Sequence, residues 1–295
     1  MAKYVPDIMS RRWVIISSNR ADRPDDNNVG EHCNLCPFCP GNEHMSSEET
    51  FRVGEGEPNT KGWHVRVVNN KFPITDYHEV LIHSPDHSVD LHDLPSSHVQ
   101  EVFQAYRQRY NYHKKTGQVI IFCNRGERAG ASLLHPHSQL VVIPSQINLD
   151  TLRKEPISNP VEENNFFNIY CPDFSQWPYE VWLAPKHGGI VFGEITDEQI
   201  VDLVDIYQKV MKRLKEVYER EYKHVDGFSY NFYIHPGQDW YIRIIPRFVH
   251  RAGFELGTGL SVNVTDPSEA ARALRSREEE IERLMDKLEE LKGEK

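Results

Sequence analysis

Gln139-Leu-Val-Val-Ile-Pro144 recurs about a hundred residues later as Tyr241-Ile-Arg-Ile-Ile-Pro246, and a longer stretch recurs with it. Tyr77-His-Glu-Val-Leu-Ile-His-Ser-Pro-Asp-His87 is echoed by Tyr179-Glu-Val-Trp-Leu-Ala-Pro-Lys-His187 at nearly the same offset. One echo is weak evidence, but two at a shared spacing point to an internal duplication. Each copy leads through a polar cap into a helical stretch, so the chain reads as α+β, with two similar halves. Each half is expected to be an antiparallel sheet with helices packed on it. The halves divide as residues 1–150 and 151–266, with a charged helix over 267–295. At the shared offset His135 and His137 fall on Gly237 and Asp239, so the histidine pair belongs to the first half alone.

Working outward, short β-rich runs lie at Trp13–Ser17, His64–Asn69, Glu79–His83, Gln118–Cys123 and Gln139–Ile143, most of them bounded by turn formers. Ser97 can cap a helix running to about Lys115, in which Val99, Val102, Phe103, Tyr106 and Tyr110 recur at helical spacing. A second helix is expected from about Asp197 to Tyr222. The polar stretch 144–165, with Pro156 and Pro160, reads as a connector. At the C-terminus Leu274, Ile281, Leu284, Leu288 and Leu291 form one stripe, which suits a helix packed on the body or on a partner.

The 295 residues are 39% hydrophobic with a formal net charge of -10, which argues against a general nucleic-acid or anionic-membrane surface. No run approaches the roughly 20 apolar residues of a membrane span, and no secretory leader is evident, so a cytoplasmic protein is expected. Three of the five cysteines, Cys33, Cys36 and Cys39, crowd into one short stretch apart from Cys123 and Cys171. That crowding suggests a metal rather than disulfides.

The chemistry concentrates in Asn124-Arg-Gly-Glu-Arg-Ala-Gly130-Ala-Ser132-Leu-Leu-His135-Pro-His137-Ser-Gln139. A glycine-containing loop leads into two histidines spaced i, i+2, and on an extended chain His135, His137 and Gln139 share a face. Loop amides together with Ser132 can hold anionic oxygens, and an imidazole beside such a pocket is a competent nucleophile at phosphorus.

These residues resemble the galactose-1-phosphate uridylyltransferases, a branch of the histidine-triad superfamily, whose active-site motif His-Pro-His-x-Gln matches. Further matches are Trp13–Pro24, Cys36-Pro-Phe-Cys39-Pro-Gly, Val67–Pro73, Ser84-Pro-Asp-His87, Pro178–His187 and Gly253-Phe-Glu-Leu-Gly-Thr-Gly259. The resemblance implies two histidine-triad-like halves. It also implies that His137 attacks the α-phosphorus of a nucleotide sugar and becomes a nucleotidyl-histidine, which a second phosphate discharges. Gln139 fits a transferase better than a hydrolase, because an amide can bind phosphoryl oxygens but is no acid near neutrality. By the same resemblance Ser132, Asn124, Gly130 and Asn70 hold the nucleotide, Arg20 and Arg23 hold phosphate, and Phe254 belongs to the sugar end. Cys36, Cys39, His87 and His135 would form a closed, structural Zn2+ site. Cys33-x-x-Cys36 has the same spacing, so Cys33 stays an alternative ligand.

The sequence also departs from the family. Arg243 and Ile245 stand where a second metal site would need histidines, so no second site is expected. Lys71 follows Asn70 where the family has an aspartate, and Thr and Gly replace the Tyr–Glu pair of galactose-specific members; the Gly253–Gly259 version is more similar to ADP-glucose phosphorylases. Trp182 reads as core, whereas Lys186 and His187 stay open between substrate contact and core. The activity implied is transfer of UMP from UDP-glucose to a hexose 1-phosphate, as in galactose metabolism. The alternatives are a nucleotide-sugar phosphorylase such as one acting on ADP-glucose, a dinucleoside polyphosphate hydrolase, or a nucleotide sensor. The family further implies a homodimer whose partners are nucleotide sugar and sugar phosphate.

Overall fold

The computed structural model describes residues 2–7, 12–18, 20, 36–149 and 157–276. Arg23, Cys33, Pro156 and the stripe residues Ile281, Leu284, Leu288 and Leu291 lie outside the described residues. A small hairpin of β1 (Lys3–Pro6) and β2 (Trp13–Ile16) precedes the main body. The first half then runs β3 (Glu49–Gly54), β4 (Trp63–Asn69), β5 (His78–Ile82), α1 (Ser96–His113), β6 (Gln118–Arg125) and β7 (His137–Ile143). The second repeats that order as β8 (Pro160–Glu163), β9 (Phe167–Tyr170), β10 (Val181–Pro185), α2 (Asp197–Val217), β11 (Tyr230–Ile234) and β12 (Ile242–Pro246). Two short helices follow, α3 (Gly253–Thr258) and α4 (Pro267–Leu274).

The two halves do not form two sheets. Ten strands join into one antiparallel sheet, in the order β3-β4-β5-β7-β6-β11-β12-β10-β9-β8. Read outward from the seam between β6 and β11, the order on one side mirrors the other, with Asn124 opposite Asn231 at the join. Both long helices cover one face, and their side chains share a single core. Val102, Phe103 and Tyr106 of α1 and Leu203, Val210 and Leu214 of α2 meet Leu81, Ile121, Leu140, Leu183 and Ile242 from the sheet. Burying each such side chain stabilises by about 1.5–3 kcal/mol.

Registers correct the equivalence expected for His137. Aligning β5 on β10 by Tyr77 and Tyr179 places Val80 on Trp182. Val80 pairs with Gln139 and Trp182 pairs with Arg243, so Arg243 is the counterpart of Gln139. Two residues earlier on each strand, Tyr241 rather than Asp239 is the counterpart of His137. Other boundaries also move. Helix α1 starts at Ser96 behind Pro95, with no side-chain cap, whereas Thr196 caps α2 by accepting from the Gln199 amide at 3.1 Å. The expected connector ends earlier, because Pro160 opens β8. Proline is tolerated there as the first residue of an edge strand.

Candidate active site and metal centre

On the helix-free face, a cavity of about 400 Å³ opens over β4, β5 and β7. Its floor includes His137 and Gln139 with Val80; Asn70, Lys71 and Phe72 close one side, Phe38 another, and Ser132 and Arg20 complete the rim. Five residues singled out from sequence thus come together: His137, Gln139, Ser132, Asn70 and Arg20. Arg20 donates to the Phe72 carbonyl at 3.3 Å, and the Asn70 side-chain oxygen accepts from the Phe72 amide at 2.8 Å.

His137 is 7% exposed and opens β7. Its Nδ1 donates to the His135 carbonyl at 2.9 Å, which leaves the ring lone pair on Nε2. Phe38 packs edge-on against the ring, with centroids 5.2 Å apart. Two residues along, the Gln139 Oε1 accepts from His78 Nε2 at 3.0 Å. His78 must carry its proton there, because its Nδ1 accepts from the Ile74 amide at 2.9 Å. With Oε1 so engaged, the group Gln139 turns toward the cavity is its NH2, a donor for phosphoryl oxygens.

Cys36, Cys39, His87 and His135 bring one ligand atom each to within 4.8 Å of one another. The sulfur of Cys39 lies 3.3 Å from His87 Nδ1 and 3.6 Å from His135 Nδ1, and Cys36 lies 3.7 Å from the latter. Zinc bonds of about 2.3 Å to sulfur and 2.0 Å to nitrogen give tetrahedron edges of roughly 3.6 Å, so this cluster fits a divalent metal. His135 Nε2 donates to the Ser84 carbonyl at 2.8 Å, which turns the Nδ1 lone pair toward the sulfurs. Burial pushes His135 down to about 4, so it is neutral as a ligand must be.

Behind β7, Ser138 faces the helices. Its hydroxyl meets His83 Nε2 at 2.7 Å and the Tyr106 hydroxyl at 2.6 Å, while Tyr106 and His83 are 2.9 Å apart. Burial, then the neighbouring His137 and His135, holds His83 well below the ordinary histidine range and therefore neutral. Arg125 pairs with Asp90 and donates to the Leu134 carbonyl at 2.7 Å, anchoring the chain just before His135.

Sequence reasoning missed His78, His83, Tyr106 and Arg125. A polar residue alternating with Val80 and Ile82 on β5 was the available signal for His78, but its partner stands 61 residues away. Three expected site residues lie elsewhere. Asn124 accepts from Asn231 at 2.8 Å at the sheet seam, Gly130 borders a different cavity, and Phe254 is 55% exposed on α3. Trp182 is fully buried, Lys186 pairs with Glu163 at 3.4 Å, and His187 is exposed.

Residues 70–143 match the family model described as galactose-1-phosphate uridyl transferase, N-terminal domain. This span carries Asn70, His78, His87 and the whole segment from Asn124 to Gln139. Over that span the chain is similar to the galactose-1-phosphate uridylyltransferases. The whole chain is 27% identical to ADP-glucose phosphorylase of Arabidopsis thaliana, over 91% of both chains. It is 24% identical to galactose-1-phosphate uridylyltransferase of Thermotoga maritima, over 95% of this chain and 99% of the other. Among solved structures, the Arabidopsis ADP-glucose phosphorylase with bound ADP-glucose superposes with a TM-score of 0.69 at 26% identity, covering 94% of this chain and 99% of that one. These relatives are nucleotidyltransferases and phosphorylases. Among the described residues no helix is long and apolar enough to cross a membrane.

Proposed function

We propose that this chain is a nucleotidyltransferase that moves a nucleoside monophosphate from a nucleotide sugar to a phosphate-bearing acceptor through His137. One observation carries the reading. The lone pair of His137 Nε2 and the NH2 of Gln139 belong to the floor of one cavity, each fixed by a hydrogen bond on its far side. Nε2 attacks the α-phosphorus, the bond to the sugar phosphate breaks, and the sugar phosphate leaves with the electron pair. The acceptor phosphate then takes the nucleotidyl group and restores His137. Gln139 NH2, Ser132 and Arg20 bind the phosphoryl oxygens, and Asn70 with the apolar walls receives the nucleoside.

Cys36, Cys39, His87 and His135 would hold a zinc ion with a purely structural effect. Fixing His135 also fixes the carbonyl that orients His137.

The match to ADP-glucose phosphorylase over 91% of both chains, with Lys71 after Asn70 and the Gly253–Gly259 segment, supports ADP-glucose as donor and inorganic phosphate as acceptor. A second reading is UMP exchange between UDP-glucose and a hexose 1-phosphate, supported by the full-length match to the Thermotoga enzyme. Phe254 stands on an exposed helix outside the His137 cavity, beside exposed Leu256, Leu260, Val262 and Val264. Its role at the sugar therefore requires the cavity of a second copy, in a homodimer.

Intact-protein mass spectrometry after brief incubation with each donor tests the scheme. An AMP-sized increment removed by inorganic phosphate supports the phosphorylase. A UMP-sized increment removed by galactose 1-phosphate supports the uridylyltransferase, and no increment with either donor sinks nucleotidyl transfer.

A further inference from the structure

A second cavity, of about 540 Å³, shares no lining residue with the His137 cavity. Glu127, Arg128, Gly130, Asp226, Arg247 and His250 line it, and the two acidic residues are exposed. Arg128 reaches across from the first half, donating through Nε to the Arg247 carbonyl at 3.1 Å and through Nη2 to the Phe248 carbonyl at 3.4 Å. Arg247 is half-buried; its Nη1 donates to Asn231 at 3.3 Å, and its buried Nε has no hydrogen-bond partner among the described residues. Arg251 completes the cluster. The guanidinium carbons of Arg247 and Arg251 lie 4.3 and 4.6 Å from the Trp177 ring centre.

None of the three arginines has a carboxylate oxygen of a described residue within 4.0 Å. Burial, reinforced by Arg251 and Arg128, lowers Arg247 from its ordinary value. A partly desolvated guanidinium flanked by two others, with no counter-ion among the described residues, is unfavourable unless something negative completes it. Guanidinium forks match the paired oxygens of a tetrahedral oxyanion.

We propose that this cavity is a second anion site, taking inorganic phosphate or the dianion of a phosphomonoester between Arg128 and Arg247. The site is wired to the loop that carries Ser132. Arg247 donates to Asn231, which in turn donates to Asn124 at 2.8 Å and to the Ala129 carbonyl at 2.9 Å. An anion held there ties the 126–132 loop to the second half.

Calorimetric titration of inorganic phosphate, and separately of glucose 1-phosphate, into the full-length protein tests this without reference to turnover. Whichever ligand binds tighter identifies the source. Binding should weaken at least tenfold in both Arg128→Met and Arg247→Met, persist in His137→Gly, and recover in part in Arg247→Lys. Matching thermal melts show that the variants fold; should Arg247→Met not fold, the exposed Arg251→Met takes its place. Unchanged affinity in the arginine variants, or binding abolished by His137→Gly alone, overturns the site.

Discussion

The helix-free faces of the two halves carry the same polar geometry put to opposite ends. In the first half His78 on β5 donates to Gln139 on β7, and Gln139 lines an open cavity. At the matching positions of the second half, Glu180, just before β10, accepts from Arg243 on β12 at 2.7 and 2.8 Å. There the space is filled. Trp182 stacks on Tyr241 with centroids 4.2 Å apart, and His235 stacks on the same ring at 4.7 Å. Trp182 also donates to Glu180 at 2.7 Å. Tyr241, in the place of His137, is thus an aromatic slab inside a plug. Duplication has preserved the apolar contacts beneath the sheet, where volume is constrained. The upper face has diverged, one copy keeping an open cavity and the other a packed aromatic cluster.

The largest effects separate the two faces. His137→Gly should lower nucleotidyl transfer by at least about a thousandfold while leaving the thermal melt unchanged. Trp182→Ala should do the reverse, costing about 3–5 kcal/mol in denaturant unfolding with the remaining folded protein still forming the adduct. Loss of transfer in both variants would mean that the plug takes part in catalysis.

Cys36→Ser comes next. It should remove bound zinc in elemental analysis and lower the melting midpoint by on the order of 10 °C, as should a chelator added to the wild type. A metal content that stays at one per chain would refute the ligand set.

Beneath the sheet the halves also differ at a buried ion pair. Glu79 pairs with Arg109 at 2.6 Å and lies 3.3 Å from His113, whereas the aligned positions of the second half are Val181 and Val210. Glu79→Gln should cost about 3 kcal/mol, and the double variant carrying valine at 79 and 109 should be less destabilised than that single one. Burial alone would raise the Glu79 carboxyl, but hydrogen bonds from His113 and Arg109 outweigh it, so the folded value is lowered. Its contribution is therefore complete above the ordinary value of 4.5 and is lost as pH falls through the folded value. The gap between wild type and Glu79→Gln should be flat from neutrality to about pH 5 and narrow below that, read by unfolding at a series of pH values.

The smallest effect tests the positioning of Gln139. His78→Phe should lower kcat roughly tenfold with little change in KM, because the donor survives but is no longer aimed. His78→Asn, which still donates, should recover part of it.

Much of this was legible beforehand. The long helices and the strands from β4 to β7 carry strong periodicity, and Cys36-x-x-Cys39 with His87 and His135 was placed by motif resemblance. What escaped has physical causes. The strands β3 and β8 are short, lie at sheet edges and are half polar, so alternation is faint. Offset alone misplaced the counterpart of His137, since two residues added between strands leave the fold and the facing of each side chain intact but change the spacing. Partners such as His78 with Gln139, or Arg128 with Arg247, meet only after the sheet has formed.

The seam between β6 and β11 is only five residue pairs long, from Ile121–Ile234 to Arg125–Tyr230. It nevertheless removes two exposed edges at once. Severed there, each half would present a row of bare amides and carbonyls, the template on which chains add strand to strand without limit. The copy whose upper face is filled therefore also serves as the cover on its twin's open edge.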